Sequence, residues 1–390
     1  MTEVTHAVPL TSVVDLMPIG ETLPFPVYDG QGRTLLGQGQ RLVSAQQLAV
    51  LLERGACVAF ADAQAVRLAR EKAAGIQPRI VPSAPIAHQL TWFDCWEKHI
   101  WDLDAAVRRL GSDSAEGSPL SETIDQQLAL AASQSDAALY CMIRQDDKRF
   151  AIYALSHARN TALVVQLSAQ VLGWSAERVR CAVSVALTMN ASIVELQARM
   201  AEQADPPSKK QMDDIHAHPT LSAEILRASG VTDTEWLAGV EEHHEQPGGG
   251  GYPHAIDAPG ELAHLVRAAD VFAAKISPRA IRPALPPQTA ARQLWLEEKG
   301  GPIAGALIKA VGLYPPGDLV TLKNGDAGVV VRRLPAGVEV AVLLSSAGKA
   351  LGGGLRRDSS KPEFTIAGPW LERKNLSRLM PEQLYGLIYP

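Results

Sequence analysis

From about residue 121 to about residue 313 the chain repeats apolar residues at helical spacing. One glycine-rich passage interrupts the run: His243-His244-Glu245-Gln246-Pro247, then four glycines, then Tyr252-Pro253. The segments read as helices include ETIDQQLALAASQSDAALYCMIRQ, HARNTALVVQLSAQVLG, SAERVRCAVSVALTM, DTEWLAGVEEHH and GELAHLVRAADVFAA. Helical periodicity sustained over such a span restricts the region to an all-α bundle built around apolar faces. The chain is long enough for two or three domains, and 46% hydrophobic residues can fill a sizeable core.

The flanks read differently. PFPVYDGQGRTLLGQGQRLVS has short apolar runs parted by Gly-containing turns. A helix follows, with Ser44 as its N-cap and Gly55 closing it. Residues 1–62 are therefore expected to form a small β/α module. Residues 63–85 form a linker, helical at first and then extended through the prolines of QPRIVPSAP. Residues 86–120 hold a Trp-rich connecting helix. In it Trp92, Trp96, Ile100, Leu103, Val107 and Leu110 share one face, as an interdomain or dimer-packing helix would arrange them. Residues 121–313 are the helical domain and 314–390 a β extension and tail. Asn324-Gly325 marks a hairpin, VEVAVLLSS a third strand and FTIAG a fourth.

Charge and cysteines narrow the function. A formal net charge of −5 gives no general field for nucleic acid. Cys57, Cys95, Cys141 and Cys181 form no CxxC pair, so the expected setting is a reducing cytoplasm. No membrane span is expected. No Walker loop, dinucleotide fingerprint or GxSxG elbow is present.

The passage at 243–253, together with more distant residues, resembles the HD-GYP phosphodiesterases, which hydrolyse the bacterial messenger cyclic di-GMP at a cluster of metal ions. The resemblance covers roughly residues 125–330. His157 matches the family's first metal-binding histidine, and His243 and His244 match its paired histidines. His218-Pro219, followed by Ser-Ala-Glu-Ile-Leu, resembles the family's His-Pro helix start, and Asp270 matches the late aspartate ligand. SPRAIRPAL resembles SDRPYRxAL and puts Arg279 and Arg282 where the family places arginines near the phosphates. Gly249, Gly251, Tyr252 and Pro253 keep the signature loop, which in the family engages partners such as diguanylate cyclase domains.

The His-Asp pair itself is lost. SVALTMNASI stands where the family reads close to AALLHDIGKI. Thr188 replaces the histidine, Met189 the bridging aspartate and Ser192 the lysine. Tyr153 and Gly248 stand at positions that are acidic in family members. A thioether cannot bridge two hard divalent ions, and without the bridge the two cations repel. The resemblance then implies one divalent ion (Zn, Mn or Fe) on His218, His243 and His244, not a two-metal centre. His157 and Asp270 would be left in the vacated half. Taken singly, each residue has a structural reading: Asp270, for instance, could pair with Arg267 or Lys275. His88, His99, His216, His254 and His264 match no ligand position and read as structural or exposed.

The leading expectation is a mainly α, multidomain cytoplasmic signalling protein with an HD-type helical bundle. Its catalysis would be lost or reduced, and it would bind cyclic di-GMP, a related nucleotide or a partner protein. A working phosphodiesterase with a modified site is the second reading. A dimerisation scaffold using the Trp-rich helix is the third.

Overall fold

The computed structural model describes residues 7–29, 32–73, 90–111, 119–145, 150–370, 380–386 and 388–389. The prolines of the expected linker and most of the loop at 111–119 lie outside these residues, as does His88. The chain divides into two compact units, Met1–His88 and Gln89–Pro390.

The first unit contains strands β1 (Ala7–Pro9), β2 (Val27–Tyr28) and β3 (Thr34–Leu36), helix α1 (Ala45–Glu53), strand β4 (Cys57–Ala59) and helix α2 (Phe60–Ala73). The strands form an antiparallel sheet in the order β1-β4-β2-β3. Ser44 caps α1 by accepting the Gln47 N–H at 3.1 Å. At the other end Gly55 turns left-handed (φ 65°), and Ala56 N–H reaches back to Leu51 O. This Schellman closure is what the glycine permits. Leu10, Leu16, Phe25, Val27, Leu42 and Val58 fill the core.

The second unit is a helical bundle carrying a sheet. Its helices are α3 (Trp92–Arg108), α4 (Pro119–Ser133), α5 (Ser135–Ile143), α6 (Tyr153–Val171), α7 (Ala176–Thr188), α8 (Val194–Glu202), α9 (Lys209–Ala228), α10 (Thr234–Glu242), α11 (Glu261–Ile276), α12 (Pro287–Glu297) and α13 (Pro302–Val311). The axis of the bundle is α6, buried on every side from His157 to Ala169. The long apolar stretch Ala176–Glu202 has the composition of a membrane span, but 72% of its most apolar window is buried in the bundle.

The aromatic stripe of α3 is used up inside this core. A capping box between Thr91 and Asp94 starts the helix. Trp92, Trp96, Ile100 and Leu103 are then fully buried. Trp92 donates its indole N–H to Leu130 O of α4, and Arg159 of α6 donates to Trp96 O at 2.6 Å. Trp101 is the tryptophan of α3 that stays exposed.

One expected boundary is wrong. His218-Pro219 does not start a helix; α9 begins nine residues earlier, where Ser208 and Gln211 form a capping box. Pro219 lies inside the helix. Lacking an N–H, it cannot bond the carbonyl four residues back, that of Ile215.

Beyond α13 come strands β5 (Leu319–Leu322), β6 (Ala327–Leu334), β7 (Gly337–Leu344), β8 (Ala350–Asp358) and β9 (Ile366–Pro369), then the short helix α14 (Pro381–Tyr385). They form an antiparallel sheet in the order β8-β7-β6-β5-β9. The expected hairpin is there, with Leu319 opposite Val329 and Gly325 left-handed at its turn. Leu319, Val329 and Val331 pack on Tyr140 of α5, while Val320, Val330 and Val340 fill the opposite face. Arg333 pairs with Asp136 of α5 at 2.6 Å and anchors the sheet to the bundle.

His99 of α3 is fully buried, with its Nε2–H donated to Thr123 O at 3.0 Å. Burial holds its pKa down to about 4, against an ordinary 6.5. With the folded value depressed, the unfolded chain takes up the proton first as pH falls below 6.5, so stability is lost on acidification. Between pH 7 and pH 5 this one group should remove about 2 kcal/mol. His99→Gln keeps a donor without the titration. Urea unfolding at the two pH values should show a loss smaller by about that amount in the variant, and equal losses would refute the assignment.

Candidate metal centre

Three imidazoles converge where α9 and α10 meet. The ligand atoms of His218, His243 and His244 all lie within 4.8 Å of one another. His218 comes from the middle of α9. Its Nδ1 is 2.5 Å from Ile215 O, the carbonyl that Pro219 leaves without a helical partner. His243 is the C-cap of α10, and its Nδ1 is 2.6 Å from Val240 O in the last turn, where helix carbonyls run out of partners. A carbonyl only accepts, so both Nδ1 atoms carry hydrogen.

Both Nε2 atoms are therefore bare in the neutral rings, and they face each other at 3.0 Å. Burial, and then the neighbouring His243, pushes the His218 pKa down to about 3. Burial also lowers His243, and burial followed by His243 lowers His244 well below the ordinary range. A proton between the two lone pairs is thus disfavoured at neutral pH. What removes their repulsion is a cation, and three neutral imidazoles are a recognised donor set for one. The cluster fits a single metal ion.

The glycine loop that follows is folded against its own backbone. Glu245 is fully buried and accepts the N–H groups of His254 (2.6 Å) and Ile256 (3.0 Å). Glu242 accepts the Gly260 N–H at 2.9 Å and ties the loop to the start of α11. A Cβ on Gly251 would lie 2.4–2.5 Å from Glu245 Cα, Gln246 N and His244 O. Gly248 and Gly249 are left-handed, with φ of 89° and 70°. The close approach that these glycines allow is thus made within the loop. The half-buried ring of Tyr252 stacks on His244 at 4.6 Å and lies 4.7 Å from His216, with Pro253 beside it.

A second cluster adjoins the first. His157, in the second turn of α6, bonds Asp270 of α11 through Nε2 at 2.6 Å. Burial works to raise the Asp270 pKa, but the His157 bond and the nearby histidines outweigh it and hold the carboxyl below its ordinary value. Tyr153 stacks flat on His157, with ring centres 5.5 Å apart and planes 6° apart. Its hydroxyl accepts from Arg279 Nε at 2.8 Å and Nη2 at 2.5 Å. Arg282 turns away and donates to Ala274 O at the end of α11, 2.7 Å away. Both guanidinium groups, expected at phosphates, are held by protein acceptors here.

Thr188, Met189 and Ser192 have packing roles. Thr188 donates to Ser184 O and accepts the Trp236 indole N–H at 2.9 Å. Met189 is wholly buried in the apolar core. Ser192 bonds the His218 carbonyl (3.1 Å) and the Ser222 hydroxyl (2.9 Å). Sequence reasoning missed the Ile215 and Val240 carbonyls that orient the rings. It also missed Glu245 as the anchor of the loop. Pro219, four residues after Ile215, was the available signal for the first.

The chain is 29% identical over 123 residues to the cyclic di-GMP phosphodiesterase PA4108 of Pseudomonas aeruginosa, a match covering 30% of each protein. Among solved structures it is similar to Bd1817, an HDG"Y"P protein from Bdellovibrio bacteriovorus. That match has a TM-score of 0.46 and 15% identity, and it covers 78% of this chain and 98% of the other. No family model matches the chain.

Gly251→Ala should force the loop open, because the obstructing atoms are backbone and cannot rotate aside. The expected loss of stability is about 1–3 kcal/mol, read from chemical denaturation. A Gly250→Ala control meets only the far end of the Gln246 side chain, at 3.9 Å, and should cost less. Equal losses for the two variants would contradict the packing described.

Proposed function

We propose that this chain is an HD-GYP-type signalling protein whose two-metal phosphodiesterase chemistry is lost or strongly reduced. It holds one divalent ion on His218, His243 and His244 and works by binding a nucleotide, cyclic di-GMP or a relative, or a partner protein. The observation that carries this reading is the contrast between the two clusters. Three imidazoles converge on one side, two of them with bare Nε2 atoms. On the other, His157 and Asp270 are paired with each other, and the fully buried Met189 offers no carboxylate.

When bound, one ion supplies Lewis acidity toward a phosphate oxygen. Displacement at a phosphodiester in two-metal sites also draws on a second ion, which stabilises the other reacting oxygen. The thioether of Met189 cannot bridge ions that prefer oxygen, and Thr188 spends its hydroxyl on Ser184 and Trp236. These residues support binding over cleavage. The partial match to a cyclic di-GMP phosphodiesterase makes that nucleotide the first ligand to test.

Turnover of cyclic di-GMP by the purified, metal-loaded protein is expected to fall far below about 1 s⁻¹, since losing a single donor of transition-state stabilisation can cost roughly 10²–10³ in rate. Product formation at an ordinary enzymatic rate would overturn the proposal.

Metal analysis separates the two clusters. His218→Ala should abolish stoichiometric zinc or manganese, because two remaining imidazoles seldom hold an ion. Asp270→Ala should leave most of it. The pair Thr188→His with Met189→Asp should raise the content towards two. Metal retained after His218→Ala would remove the three-histidine site from consideration.

A further inference from the structure

The geometry points to Pro219 as a positioning residue. We infer that its missing N–H is what fixes the His218 tautomer and so makes Nε2 available to a cation. In an uninterrupted helix the N–H of residue 219 would occupy the carbonyl of residue 215. Proline has no such hydrogen. Ile215 O, half-buried in the middle of a twenty-residue helix, would be left without that bond, at a cost of up to about one lost hydrogen bond. The His218 ring fills the gap from within the same turn, with Nδ1 2.5 Å from Ile215 O. The tautomer follows, since the atom facing a carbonyl must carry the hydrogen and the other nitrogen of a neutral imidazole must then be bare.

The same outcome is reached at His243 by a different route. Val240 O is free because α10 ends there, so no proline is needed. The helix interior of α9 has no such natural vacancy, and the proline creates one. An imidazole that served as a metal ligand without this constraint would divide itself between two tautomers, and one of these points a hydrogen at the ion. The backbone thus does for His218 what a carboxylate partner does in many metal sites.

This inference builds on the proposed single-ion site, but its first test needs no metal. In protein labelled with ¹⁵N-histidine and stripped with chelator, the natural chain should show His218 as the Nδ1–H form. Pro219→Ala restores a backbone donor for Ile215 O and should move His218 to a mixture of tautomers or to the Nε2–H form. Zinc affinity, measured by competition with a chelating dye, should fall about 10–100-fold, the usual range for loss of an orienting partner. Retention of a pure Nδ1–H form in Pro219→Ala would overturn the inference, even if affinity fell, because the proline would then be shaping the helix only. A changed tautomer with zinc affinity unchanged would overturn its link to the metal. If His218→Ala leaves zinc binding intact, the single-ion reading fails, while the tautomer of the metal-free protein still decides the role of Pro219.

Discussion

An imidazole can offer a lone pair to a cation only when its other nitrogen holds the hydrogen, and in this protein two backbone carbonyls enforce that condition. Ile215 O sets His218 and Val240 O sets His243, leaving two bare Nε2 atoms 3.0 Å apart. Burial makes the usual remedy, a shared proton, costly. The surroundings serve this arrangement. Tyr252 covers His244, Glu245 holds the loop that carries Tyr252, and Gly251 lets that loop close on itself. The capping boxes and apolar stripes of the bundle set the places from which the rings reach inward.

Beside the three imidazoles lies an interior whose polar groups are largely paired within the protein. Where hard ligands would stand there is a buried thioether at Met189 and a threonine hydroxyl engaged by Trp236. His157 bonds Asp270 through Nε2 while its buried Nδ1 has no hydrogen-bond partner among the described residues, and Tyr153 lies flat against His157 while holding Arg279. Removing one member of such a buried pair would leave the other uncompensated.

Much of the architecture could be read from the chain. Helical periodicity announced the bundle, Ser44 and Gly55 announced the ends of α1, and Asn324-Gly325 announced the first hairpin of the sheet. These signals are local, a cap or a turn within a few residues. Strand β8 gave no such signal, because Gly352, Gly353 and Gly354 provide no alternating side chains; it is held by pairing with β7. The stripe of α3 was legible as a buried face, but what it is buried against was not. Packing against α4 and α6 involves residues far away in sequence, 38 positions in the bond from Trp92 to Leu130 and 63 in that from Arg159 to Trp96.

For the site, the sequence by itself determined which donors exist: the histidines at 218, 243 and 244, a methionine and a threonine at 189 and 188 that offer no carboxylate, and a glycine at 251, where no Cβ fits. Residue chemistry suffices for that, since a thioether is a poor bridge for hard ions in any fold. The tertiary structure alone decided which nitrogen of each ring faces its neighbour and that Arg279 and Arg282 are held by a phenol and a helix end. It also placed His157 on Asp270, 113 residues away. Hydrogen-bond direction depends on positions within a few tenths of an ångström, and such positions are set by the packing of helices distant in sequence, which no local pattern of residues records.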